Sequence, residues 1–93
     1  MSMREIFERK MQAQLDELKV ELAELKDKAG RAEANLELEY FTLIDELRLK
    51  LEDVEQKFEL LQQVNDEKWE EFKAELELSW DSLRELVKAI TSP

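Results

Sequence analysis

The chain has 93 residues, 41% of them charged, with one Gly, one Pro, no Cys, no His and a formal net charge of −10. A chain of this length makes one domain at most, and without Cys or His it has no disulfide, no thiolate chemistry and few routes to a transition-metal site. Ala, Glu, Lys, Leu and Arg dominate, which is the profile of long helices. The expected fold class is therefore all-α: long amphipathic helices forming an oligomeric coiled coil or helical bundle, as one unit over residues 1–93.

The opening Met1-Ser2-Met3-Arg4-Glu5 has no apolar run of the kind a secretory leader carries. The longest near-apolar run, Tyr40-Phe41-Thr42-Leu43-Ile44, is far too short to span a bilayer. A soluble cytoplasmic protein with no membrane span is expected. From Met11 the apolar positions step by four and three through Leu15, Leu18, Leu22, Leu25, Ala29, Ala32 and Leu36. Such a sustained stripe argues for a coiled coil rather than a lone surface helix. Gly30 costs roughly 1 kcal/mol against Ala inside a helix, but the stripe passes through it in phase. One helix over about 3–64 is therefore expected, with Gly30 tolerated.

After Leu36 a spacing of eleven takes over. It links Leu36, Leu47, Phe58, Trp69 and Trp80, and in parallel Leu43, Val54, Asn65, Leu76 and Val87. Eleven residues make almost three whole turns, so the supercoil should relax after Leu36. Ala34, Leu38, Phe41, Leu49 and Leu60 form a second apolar face roughly opposite the first. A helix buried on one side does not need it, so this stretch should touch two neighbours.

Gln62-Gln63-Val64-Asn65-Asp66-Glu67 is the other possible break. Asn is a favoured N-cap, and the acidic residues after it would suit a new first turn. If the helix continues, Asn65 sits on the seam and fixes register. If it breaks, Asn65 is the cap and the last helix, about 66–90, folds back over residues 40–64. That helix should end near Ile90, ahead of Thr91-Ser92-Pro93, with Arg84 and Lys88 close to its C-terminus. The expected core or interface comprises Leu15, Leu18, Leu22, Leu25, Leu36, Leu47, Val54, Phe58, Trp69, Phe72, Leu76, Trp80, Leu83 and Val87.

The charge is uneven. Residues 1–34 carry seven basic and eight acidic groups, and residues 35–93 seven basic and sixteen acidic. The acidic stretch is repelled by nucleic-acid phosphate and by anionic lipid. No nucleic-acid partner is expected, while a basic protein surface fits. Glu52-Asp53 and Glu70-Glu71 with Glu75 are the nearest to metal ligands, but bundle di-metal sites pair Glu with His. They read as solvated faces. Ser79, Ser82 and Thr42 lack a histidine to serve as their general base, and no Gly-rich phosphate loop is present. The expectation is a protein that is not an enzyme and needs no cofactor.

Trp69-Glu70-Glu71-Phe72-Lys73 and Leu76-Glu77-Leu78-Ser79-Trp80-Asp81-Ser82-Leu83-Arg84, with Lys10-Met11-Gln12-Ala13-Gln14-Leu15-Asp16-Glu17-Leu18 near the start, resemble short bacterial coiled coil domain-containing proteins. Those repeat a Trp-acid-x-Leu/Phe-Lys unit every eleven residues. Asn65-Asp66 stands where they have a small residue or Gly. The resemblance implies a helical fold and no activity, cofactor or binding residues.

The function expected is that of a structural or adaptor protein working by helix–helix association. It would form a homo-oligomer and could serve as a scaffold for another protein. Antiparallel pairing sets the acidic segment against the nearly neutral one, and the slim Ala29-Gly30-Ala32-Ala34 section against bulky Trp69, Phe72 and Trp80. The alternative is a peripheral amphipathic helix that binds lipid or protects membranes under stress.

Overall fold

A computed structural model describes residues 2–91, leaving aside the side chain of Asn35. The fold is all-α. Among the described residues there are helices α1 (Met3–Arg31), α2 (Ala34–Gln63) and α3 (Asp66–Thr91), and no strand. The helices pack on one another, α1 on α2 and α2 on α3. Two compact units divide between Ile44 and Asp45. The first contains α1 and the opening turns of α2; the second contains the rest of α2 and α3.

In the first unit α1 begins with a serine N-cap. Ser2 has extended backbone, and its hydroxyl accepts from the Glu5 amide at 3.2 Å. Met11, Leu15, Leu18, Leu22, Leu25 and Ala29 are buried along one stripe. Lys28 and Arg31 lie in the last turn, where cations meet the negative end of the helix dipole.

Where the spacing predicts one helix over about 3–64, the structure has two. Ala32 turns extended, with its amide on the Ala29 carbonyl at 3.2 Å. Helix α2 then restarts from the Glu33 carbonyl, which accepts from Leu36 and Glu37. The cause lies in the slim section. Ala29, Gly30, Ala32 and Ala34 bury little area in a continued helix, so carrying on gains little there. Apolar phase says nothing about continuity, because two helices joined by a short link can each present a stripe. Leu36, in phase with the α1 stripe, is 43% exposed.

In the second unit α2 and α3 form an antiparallel hairpin. Of the two roles open to Asn65, the structure shows the cap: its Oδ1 accepts from the Lys68 amide at 3.2 Å, and α3 starts at Asp66. Asp66 and Glu67 fill the first turn. The helix runs to Thr91, one residue past the expected end, with the Thr91 hydroxyl on the Val87 carbonyl. Leu47, Leu51, Val54, Phe58 and Leu61 of α2 are buried, as are Trp69, Leu76, Leu83 and Val87 of α3.

These α2 positions step by four and three, so a heptad pattern resumes after Leu36, its register shifted by one residue. The eleven-residue spacing is a by-product, since one heptad plus a four-residue step also returns a side chain to the seam.

Candidate functional site

The second unit has a polar seam on its hairpin. Lys50 Nζ donates to Ser82 Oγ at 2.9 Å, and Lys57 Nζ donates to Ser79 Oγ. Lys57 also reaches Asp53 Oδ2 at 3.1 Å, one turn earlier. The seam edges an open cavity of about 340 Å³ lined by Glu46, Leu49, Lys50, Asp53, Ser79 and Ser82.

Lysine suits this place because its long stem lies along apolar surface while its head reaches across. Serine suits it because a small side chain leaves room for that head. The Lys57 ammonium is shared between a carboxylate and a hydroxyl and donates to both, so Ser79 faces a donor rather than a base. The seam works as a clasp between helices.

In the sequence Ser79 and Ser82 lack a general base, and Lys50 and Lys57 belong to no motif. The signal is faint: a one-heptad step between the lysines and a three-residue step between the serines. Their pairing becomes visible only once the chain is known to fold back at Asn65. The buried Ile44, Leu51 and Leu61 were also missed; they follow the three-and-four rhythm only when it restarts one residue later, at Ile44 rather than Leu43.

The residues expected at a core or interface divide by burial. Leu15, Leu18, Leu22, Leu25, Leu47, Val54, Phe58, Trp69, Leu76, Leu83 and Val87 are buried within the single chain. Phe72 and Trp80 are half-buried, while Leu36 and Asn65 are exposed. Lys73 lies over the Trp69 ring, 5.5 Å from its centroid, and Arg84 over Trp80 at 6.0 Å. Each is a cation–π contact one turn along the helix.

The acidic pairs hold basic side chains. Glu52 pairs with Arg48 at 3.6 Å, and Asp53 with Lys57. Glu70, Glu71 and Glu75 are exposed.

What remains free is apolar surface on the outside. In the first unit Leu38 is 72% exposed and Phe41 is exposed on the same side of α2, while Leu36 and Tyr40 are exposed on the side that carries Ile44. A shallow depression of about 440 Å³ lies there, lined by Leu38, Glu39, Thr42 and Leu43. In the second unit Leu49, Leu60 and Leu78 are exposed. Leu38, Phe41, Leu49 and Leu60 belong to the second apolar face that the sequence shows on α2. Single exposed leucines need no explanation, but apolar side chains gathered on one stretch of helix mark interaction surfaces.

No helix among the described residues is long and apolar enough to cross a membrane. No family model matches the sequence, and neither a curated protein nor a solved structure matches it.

Proposed function

We propose that this chain is a non-catalytic structural or adaptor protein that works by helix–helix association. The observation carrying this reading is the opening of α2. Its inward residue Ile44 is buried, yet Leu38 and Phe41 on the second apolar face remain exposed. A packed helix with a second apolar face is suited to take one more helix against that face. The Lys–Ser clasp supports the same reading, because its hydroxyls bond to lysine heads and brace the hairpin.

Self-association is one outlet for this surface. The exposed Leu49, Leu60 and Leu78 of the second unit offer a second copy apolar area, and charge favours an antiparallel arrangement. Sedimentation over a wide concentration range, together with binding of labelled amphipathic peptides, tests the proposal. Helix association predicts a mass that rises with concentration, or a saturable peptide complex. A chain that stays monomeric and binds no helical peptide overturns it.

A further inference from the structure

We propose that the opening of α2, residues 33–44, docks a basic amphipathic helix from another protein. This rests on the helix-association reading above and adds the chemistry of the partner. Residues 33–44 contain Glu33, Glu37 and Glu39, and no Lys or Arg occurs anywhere between Arg31 and Arg48. Elsewhere basic groups are scattered through the chain, fourteen in all. So the densest cluster of exposed apolar side chains in the first unit coincides with a stretch free of cations. Glu33 and Glu39 are exposed, and Glu37 is partly so.

The shape fits one helical face. Leu38 and Phe41 are three residues apart, and the depression bounded by Leu38, Thr42 and Leu43 accepts apolar anchors arriving one turn apart. The carboxylates then meet whatever flanks those anchors. Lys and Arg meet the requirement, since their stems lie along apolar surface while their heads reach the rim.

Charge argues against other occupants. The chain's own residues 35–93 carry sixteen acidic and seven basic groups, so helices from that part of a second copy bring like charge to this rim. Anionic lipid headgroups and nucleic-acid phosphates do the same.

The probes are two synthetic helices sharing one leucine face, flanked by Lys in one and by Glu in the other. Each is labelled and titrated with the full chain at low and high salt. Three variants accompany the wild type: Leu38→Ser, Leu78→Ser, and Glu37→Gln with Glu39→Gln. Leu38 and Leu78 are both 72% exposed, so both serine variants should keep the wild-type circular dichroism and Tm, which checks that folding is intact.

The expected result is saturable binding of the Lys peptide, about tenfold or more tighter than the Glu peptide and weakening with salt. Leu38→Ser loses most of that affinity and Leu78→Ser keeps it. The double Gln variant binds more weakly and with a shallower salt dependence. Equal binding of both peptides overturns the basic-partner claim while leaving helix association standing. Equal loss in Leu38→Ser and Leu78→Ser overturns the location. A wild-type dimer that Leu38→Ser dissolves assigns the surface to a second copy and overturns the proposal. Failure of both peptides, with a monomer at every concentration, removes the broader reading as well.

Discussion

Leu76 and Leu78 lie two residues apart on α3, and the same substitution at each should give very different outcomes. Leu76 is fully buried and Leu78 is 72% exposed. Leu→Ala removes about three carbon groups at roughly 0.8 kcal/mol each, or about 2.4 kcal/mol in transfer alone. At Leu76 the neighbours close only part of the space left behind, which raises the loss to about 3–4 kcal/mol. At roughly 4–8 °C per kcal/mol for a domain of this size, Tm should fall by about 12–30 °C. At Leu78 only about a quarter of the side chain leaves water, so the transfer loss is ~0.6 kcal/mol. The better helix propensity of Ala offsets part of this, and the net change should lie within about 0.5 kcal/mol. Thermal and urea unfolding followed by far-UV circular dichroism reads both variants. If Leu76→Ala unfolds within about 1 kcal/mol of wild type, or Leu78→Ala loses as much, the assignment of inner and outer faces on α3 is wrong.

Four further outcomes are expected. Gly30 has no positive φ, and a Cβ placed there meets nothing within 4 Å, so Gly30→Ala should stabilise by about 0.5–1 kcal/mol in urea unfolding. Asn65→Ala should cost about 0.5–2 kcal/mol through the lost cap while Asn65→Asp keeps most of it; a gain in stability from Asn65→Leu would instead favour a seam position. Lys57→Met, Ser79→Ala and the double variant form a cycle whose coupling should be about 0.5–1.5 kcal/mol, and a value near zero would mean that the clasp adds nothing. Added NaCl should raise Tm, because net repulsion in residues 35–93 is screened; a steady fall with salt would show that attractive pairs such as Asp53–Lys57 dominate.

The α1 stripe was legible because a buried face on a long helix leaves a repeat that no other common element imitates. Leu15, Leu18, Leu22 and Leu25 follow from spacing alone and are buried. The break at Ala32-Glu33 was not legible, because it has none of the usual punctuation. It contains no Pro, Gly30 lies inside the last turn of α1, and α2 is entered from a backbone carbonyl rather than from a favoured capping side chain. Asn65 carried both of its readings in the sequence, since seam position and capping chemistry coincide there. Only the packing of α3 against α2 decides between them.

The same distinction explains why the candidate surface was half visible. Two apolar faces on α2 imply two sets of neighbours, and the sequence alone favours other chains as those neighbours. The fold-back at Asn65 changes the count. The inner face, Ile44 through Leu61, is buried within one molecule, so it no longer argues for an oligomer. The argument for a partner passes to the outer face, where Leu38 and Phe41 stay in water beside carboxylates with no neighbouring cation in sequence. Acidity, read at first as a repulsion between copies that antiparallel pairing could relieve, becomes a selector. Residues 35–93 of a second copy are disfavoured at that rim, and a basic helix satisfies both the apolar side chains and the charge around them.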